Sequence, residues 1–470
     1  MQQQGVFAPG YRALSTGILA SITAVAVEGL AVATILPMTA ADLGGYDAYG
    51  WAFSAFMLAS LLGAVATGQA ADGRSAVGPT RLVFVAFGLG SLVAGLAPAW
   101  PVLLLGRVLQ GLGGGGLVAI AYLAVARGYP ERLRPRLLAL TSTAWVVPAL
   151  VAPALAGQVA EHASWRLVFL GLLPLLACGA ALVLPALGQL NVTSPAPGQP
   201  GRLRAAGRLA AGLGLMLWAF GLGVIGPTLL VAGFGAVLAA PALRGLLPEG
   251  TPRLRPGLPA AVATRGLLAF GFFGADALVP LGLAMLRDLP PTAIGLAVTA
   301  SALTWTAGSW LQDRAEARAA WTWFSRSARA RVGLVLLGLS IGAVGIAILS
   351  PEVPAVLGVV AWGIAGLGTG LAYSSTTLVA LGQAPAGQEG ATSASLQLAE
   401  TVGTAAGTGA VGALLALAPH VQHEVADGIW WGLLLTAGVT LLGLVPAARM
   451  AARPVPTRFL RKQLPMGEAA

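Results

Sequence analysis

The stretch SITAVAVEGLAVATILP, residues 21–37, decides how this chain is read. It is apolar enough to enter a bilayer, yet Glu28 sits near its middle. A charged acid near the centre of a spanning helix costs about 2.5–3.5 kcal/mol on insertion scales, so such residues face a cavity or a partner. Composition shows that the stretch is typical of the whole. The 470 residues are 57% hydrophobic and 9% charged, with a mean hydropathy of +0.81, whereas soluble domains are about 25% charged. The chain reads as an integral membrane protein.

The 65 glycines and 31 prolines would suggest disorder in a polar chain. Here they lie inside apolar runs, where small residues allow close helix packing. The net charge of +10 comes without a basic face interleaved with aromatics, so no nucleic-acid partner is expected. Cys178 is the single cysteine, which excludes an internal disulfide and a cysteine metal cluster. The segment MQQQGVFAPGYR carries little positive charge and leads into a run too long for a signal-peptide core, so a retained first span is expected.

A spanning helix needs roughly 20 mostly apolar residues, and on that rule the chain offers about 14 candidates. Six cover 14–37, 50–71, 80–97, 102–126, 136–160 and 165–187. The polar linker NVTSPAPGQPGR follows at 191–202. Two closely spaced runs, 209–225 and 228–243, precede six more at 258–286, 293–312, 332–349, 353–381, 391–417 and 428–448. The expected fold is an all-α membrane protein: a six-helix half over 1–187, a cytoplasmic linker and two extra transmembrane helices over 188–257, a second six-helix half over 258–448, and a cytoplasmic tail over 449–470.

Short cytoplasmic loops are enriched in Lys and Arg. With the N-terminus inside, every basic residue falls on an inside segment except Arg107 and Arg265, within spans, and Arg166 and Arg287, at outer ends. The positive charge is thus a topology signal, with both termini cytoplasmic. Lys462 is the only lysine, a bias of GC-rich coding, so a bacterial plasma membrane is expected. The loops GQAADGRSAVGPTR (68–81) and SWLQDRAEARAA (309–320) occupy corresponding places and share a small residue four positions before an aspartate, with arginine just after it. Substrate sites of transporters built from such repeats lie between the halves near the midplane.

On these motifs the chain resembles the major facilitator superfamily, and within it the 14-span drug:proton antiporter group. VEGLAVATILPMTAADLGG (27–45) is similar to that group's first-span signature through Glu28, Thr34, Ile35, Leu36 and Pro37. GQAADGR is similar to the superfamily's loop motif through Gly68, Asp72 and Arg74, with Asp313 and Arg314 at the matching place in the second half. LLGRVLQGLGGGG (104–116) is similar to the fourth-span motif through Arg107, Gln110 and Gly111, and ASWRLVFLGLLP (163–174) to the sixth-span opening through Trp165, Arg166, Phe169 and Pro174. Two departures stand out: Gly73 replaces the first arginine of the loop motif, and Ala152-Pro153 with Ala156-Gly157 replaces the Gly-Pro and Gly-Gly of the fifth-span antiporter signature. The resemblance implies a major facilitator fold and a proton-coupling role for Arg107 with the first-span acid.

At about 1.5 Å rise per residue, Glu28 lies roughly 13 Å below the end at Pro37, and Arg107 roughly 9 Å below the end near Pro101. The two are at comparable depth. Burial disfavours the charged form of an acid, so Glu28 can load and release a proton as a cavity changes sides; the bland alternative is a neutral acid bonded to a neighbouring helix. Asp276 in FGFFGADALVPLG (270–282) and Glu400 in LQLAETVGTAAGTG (396–409) also fall near the midplane and could take a proton or a cationic substrate, or merely bond a neighbouring hydroxyl. Arg265, nearer the inner face, could snorkel there and reads as structural. Trp51, Phe53, Phe56, Trp145, Phe270, Phe273, Trp305, Trp362 and Tyr373 could line an aromatic cavity, although single aromatics often face lipid.

Other features read as structural. GLGGGG at 111–116 lacks the Gly-Lys-Ser/Thr of a phosphate loop and suits helix packing. His420 and His423 have a metal-compatible spacing without further ligands, so no metal is expected. The sequon at Asn191 faces the cytoplasm in this topology, and 314–331 reads as an interfacial helix on anionic lipid. The expected function is secondary active export of amphiphilic, cationic compounds in exchange for protons by alternating access, not enzymatic catalysis. The proton gradient supplies energy without a cofactor, membrane lipids surround the protein, and a monomer is expected. The rivals are transport of a lipid, sugar or other metabolite by symport or facilitated diffusion, and a transport-inactive sensor or scaffold.

Overall fold

The computed structural model describes residues 5–71, 75–130, 133, 137, 140–141, 144–188, 201–220, 225–317, 325–384, 389–417 and 422–451. Among them are fourteen long helical segments. They are α1 (Arg12–Leu43), α2 (Trp51–Ala71), α3 (Val77–Gly95), α4 (Trp100–Gly128), α5 (Val146–His162), α6 (Arg166–Gly188, with a turn at Gly171), α7 (Arg202–Phe220) and α8 (Ile225–Leu246). There follow α9 (Leu258–Met285), α10 (Pro291–Ala317), α11 (Arg326–Leu349), α12 (Ala355–Gly382), α13 (Glu389–Leu417) and α14 (Gln422–Leu442), the last continued past Gly443 by a short turn of helix. Eleven of the described helices are long and apolar enough to cross a membrane. The remaining three are α5, which has 17 residues; α7, which opens with Arg202, Arg204 and Arg208; and α10, which is rich in Ser, Thr and Gly.

Pro37 does not end the first helix as the span reading expected. Its missing N–H costs one bond, but the surrounding turn is buried and the helix runs on to Leu43. Gly44 then takes the left-handed conformation (φ 65°), its N–H returning to the Ala40 carbonyl, the usual glycine helix stop. The interfacial helix expected at 314–331 is also divided: Arg314 closes α10, residues 318–324 lie outside the described residues, and Arg326 opens α11. There the Ser325 hydroxyl accepts from the Ala328 N–H at 3.2 Å.

The two six-helix sets have the same neighbours. In the first, α1 packs on α4, α5 and α6, α4 on α2 and α3, and α3 on α6; in the second, α9 packs on α12, α13 and α14, α12 on α10 and α11, and α11 on α14. The sets meet along α2–α13, α5–α10 and α1–α9. Their closest approaches lie at the end away from the termini, termed distal and expected to face outward. There the Ser54 hydroxyl bonds Thr408 Oγ1 (3.0 Å) and the Ala405 carbonyl (3.1 Å), Gly50 lies against Gly412, and the Thr292 N–H donates to Glu161 at 3.0 Å. The inserted pair α7–α8 joins at Gly212 and Gly235, and α7 packs on both α2 and α13.

The glycine run of α4 lets that helix sink between α2 and α3. A side chain at Gly111 would strike the Phe56 carbonyl, one at Gly113 the Phe87 backbone at 2.5 Å, and one at Gly115 the Ser60 carbonyl. Gly115→Leu is therefore expected to lower the melting temperature of the purified protein, by the equivalent of about 1–3 kcal/mol or more of overpacking. Gly342→Leu, where nothing lies within 4 Å, is the control. An unchanged melting temperature for Gly115→Leu contradicts the close α2–α4 approach.

Candidate functional site

Glu28 is fully buried in α1, and Arg107 of α4, 2% exposed, donates Nη1 to its Oε1 in an ion pair. The arginine has further anchors. Nε donates to the Ala52 carbonyl of α2 (2.8 Å), Nη1 also reaches Gln110 Oε1 (2.9 Å), and the guanidinium lies over the Phe56 ring at 4.6 Å. Gln110 is buried and donates to the Ser91 hydroxyl of α3 at 3.1 Å. One charged fork thus binds α1, α2 and α4 together, the bidentate-capable geometry that distinguishes arginine from lysine. Glu28 Oε2 has no hydrogen-bond partner, so one carboxylate oxygen is held and the other is free.

The second half carries its own buried pair. Arg265 of α9 donates Nη1 to Glu400 Oε2 of α13 (3.2 Å), Nε and Nη2 to Thr376 Oγ1 (3.1 and 2.9 Å), and Nη2 to the Tyr373 carbonyl (2.7 Å) and Thr377 Oγ1 (2.5 Å). Its guanidinium stands 3.4 Å from the Tyr373 ring centre, and the Tyr373 hydroxyl donates to Glu400 Oε2 at 2.9 Å. Of the two readings left for Arg265, snorkelling to the inner face is not the one seen: depth along the chain does not give the face of the helix, and this face turns inward toward α12 and α13.

Above this pair stands an aromatic cluster from α9, α10 and α12. Phe272 stacks on Trp362 at 5.2 Å and meets Trp305 edge-on at 5.0 Å and Phe273 at 5.2 Å, while Trp305 contacts Tyr373 at 5.3 Å. Phe272, Phe273, Trp305 and Tyr373 line, with Arg265 and Glu400, a narrow crevice that has no room for a water molecule. Phe273, Trp305 and Tyr373 are brought together along this crevice, with Trp362 buried behind Phe272; Phe272, central to the cluster, escaped the sequence reading, although its place seven residues after Arg265 sets it on the same helical face. Phe56 belongs instead to the Arg107 network. Trp51 and Phe270 are half-buried and outside the ring cluster, and Trp145, 43% exposed, is also outside it.

Of the loop-motif residues, Asp72 and Arg74 lie outside the described residues, as does the Asp313 side chain; Gly68 has nothing within 4 Å and Arg314 is exposed. Gly111 is buried against α2. His420, the His423 side chain and Asn191 lie outside the described residues, and among those described no group of acids, histidines and cysteines could hold a metal. At the distal end Arg166 pairs with Asp42 at 2.9 Å and lies over Trp165, whose Nε1 donates to the same carboxylate oxygen at 3.0 Å. These motif residues brace α1 against α6.

The sequence model of the Major Facilitator Superfamily matches residues 16–408. The chain belongs to this superfamily. It is accordingly a multi-pass membrane transporter, not an enzyme. Two relatives from Mycobacterium tuberculosis, strains H37Rv and CDC 1551, each described as a "Probable multidrug-efflux transporter", are 28% identical over 429 residues, covering 86% of this chain and 88% of theirs. The "Vacuolar basic amino acid transporter 5" of Saccharomyces cerevisiae is 32% identical over 161 residues, 33% of this chain and 28% of that protein. Among solved structures, a POT family transporter in complex with 5-aminolevulinic acid aligns with a TM-score of 0.66 at 14% identity, covering 96% of this chain and 99% of that one. A bacterial homologue of the lysosomal transporter Spinster, in an inward-facing and unoccupied conformation, aligns with a TM-score of 0.60 at 14% identity over 94% and 96% of the two chains. Both share the fold.

Proposed function

We propose that this superfamily member exports amphiphilic, cationic small molecules from a bacterial cell in exchange for protons, as a 14-span monomer with both termini cytoplasmic. One observation carries the reading: Glu28 is wholly buried, with one oxygen held by Arg107 and the other unpartnered. A proton on the free oxygen removes the charge that Arg107 compensates, while Arg107 keeps its bonds to Ala52 and Gln110. Ala52 is two residues from Ser54, which bonds α13. A change of charge at Glu28 therefore acts next to a contact that closes the distal end, which suits alternating access. The relatives described as multidrug-efflux transporters support the substrate class, and the proton gradient supplies energy without a cofactor.

The test is proton flux in proteoliposomes. Adding a lipophilic cation to purified, reconstituted protein should release or take up protons in proportion to cation moved, and dissipating the pH gradient should stop uphill movement. Cation movement indifferent to pH would leave a uniporter. The yeast relative named for basic amino acids favours a second reading, in which the cation is a basic metabolite; proton flux evoked by arginine or lysine alone would select it.

A further inference from the structure

Two lateral seams join the halves, α2–α13 and α5–α10, and the internal repeat makes them equivalent, since α2 corresponds to α10 and α5 to α13. Only one of them is covered. Over α2–α13 lies α7: its Leu209 is buried with Leu61 of α2 in a cluster that packs on Val402 of α13, and its Ala210 is buried with Leu58 of α2 and Ala405 of α13. Toward the distal end Leu217 of α7 covers Gly409 of α13, where any side chain would strike it. Beyond α7 stands α8, with Leu229, Leu230 and Phe234 exposed. The inserted pair thus separates this seam from the lipid. The deep acid Asp276, half-buried on α9, belongs to neither seam.

No helix covers α5–α10 in this way among the described residues. The helix that packs on both is α1, which also meets α9 and so lies on the inner side. The seam is tight distally, where Gly157 lies against the Pro291 carbonyl and Gly295 against that of Pro153. Toward the proximal end, that of the termini, it parts. On α10 the face that meets α5 runs Gly295, Thr299, Ala302, Thr306, at the spacing of one helical face; the first two are buried and the last two half-buried. On α5 the matching face runs Gly157, Pro153, Leu150, Val146, again buried for the first two and half-buried for the last two.

Thr299 stands where the parting begins. Its hydroxyl is buried and has no hydrogen-bond partner, whereas Thr304 and Thr306 of the same helix return theirs to carbonyls of the preceding turn. Buried polar groups are overwhelmingly hydrogen-bonded, so an unpaired donor one turn from the tight contact is available to a polar group entering the seam. We propose that α5–α10 is the portal through which amphiphilic substrates pass from the inner leaflet into the space between the halves, with the Thr299 hydroxyl at its inner limit, and that α7 is the seal that closes the equivalent route at α2–α13. The Ser, Thr and Gly content of α10 suits a helix that lines such a passage. The assignment rests on the proposed amphiphilic substrate and gives the inserted pair a task that the two repeated halves do not supply.

The test uses hexadecyl methanethiosulfonate, a thiol reagent confined to the bilayer, on single cysteines in full-length Cys178→Ser protein in vesicles. Ala302→Cys, in the parted seam, should be labelled rapidly and Val402→Cys, beneath α7, should not. Leu209→Ala, which thins the seal, should make Val402→Cys reactive. Leu339→Cys, on an exposed face of α11, is the control for a position that merely faces lipid. Once labelled, Ala302→Cys should lose most of its tetraphenylphosphonium movement, and Leu339→Cys none. An unreactive Ala302→Cys, equal labelling of Val402→Cys in intact protein, or unchanged movement of the cation by labelled Ala302→Cys would overturn the assignment. Cation movement that the Ala302→Cys label blocks, but that evokes no proton flux in the wild type, would remove proton exchange and leave the portal as assigned.

Discussion

Glu28→Gln is expected to abolish concentrative export while leaving substrate binding in place. The amide keeps the shape of the side chain and an oxygen for Arg107 Nη1, and the guanidinium retains its bonds to the Ala52 carbonyl and Gln110. What it removes is the proton. With a pH gradient of about one unit, exchange of one proton for one monovalent cation supports up to about tenfold accumulation, since a tenfold ratio is worth about 1.4 kcal/mol. The variant should reach only the equilibrium distribution, and should still exchange substrate across the membrane in the absence of a gradient. Full gradient-driven accumulation in Glu28→Gln proteoliposomes would sink the assignment. Arg107→Lys should recover only part of the coupling, because an ammonium cannot hold Ala52, Gln110 and Glu28 from one planar fork. Arg107→Ala is a harsher change, since removing one partner of a buried pair costs about 3–5 kcal/mol. Its melting temperature must be read beside its transport.

The second large effect concerns the distal contact between the halves. Ser54 Oγ and Thr408 Oγ1 lie 3.0 Å apart, and the adjoining turns come together at Gly50 and Gly412, so sulfur atoms placed at these positions start within reach of one another for a disulfide. In a Cys178→Ser background, Ser54→Cys with Thr408→Cys should oxidise readily and stop transport completely, and a reductant should restore it. Either single cysteine should transport normally under oxidising conditions. Transport at the wild-type rate by fully cross-linked protein would show that the contact need not open.

Much of the fold was legible because lipid imposes a length and an apolar composition on each span, and because arginines mark one side of the membrane. The depth match between Glu28 and Arg107 was legible for the same reason: rise per residue converts sequence into height. Height says nothing of azimuth, and the misreadings share that origin. Arg265 has the depth of a snorkelling residue but turns toward Glu400; Phe272, passed over beside Phe270 and Phe273, is the hub of the ring cluster. The helix that runs through Pro37 was hidden because local propensity favours a stop there and only tertiary burial overrides it.

The apolar interior is divided unequally along the chain. One cluster, from Val6 to Leu187, draws only on the first six helices, while the largest joins Ala31, Trp100 and Phe169 of that set to residues from Ala260 to Met450. Synthesis proceeds from the N-terminus, so the first cluster can assemble while later helices are still on the ribosome. The distal part of the same half has to wait. Residues such as Ile35, Leu36 and Tyr49 lack their final neighbours until the last helices are inserted, which makes this end of the nascent protein the part most dependent on insertion machinery, and the part where a truncated chain would be recognised as unfinished.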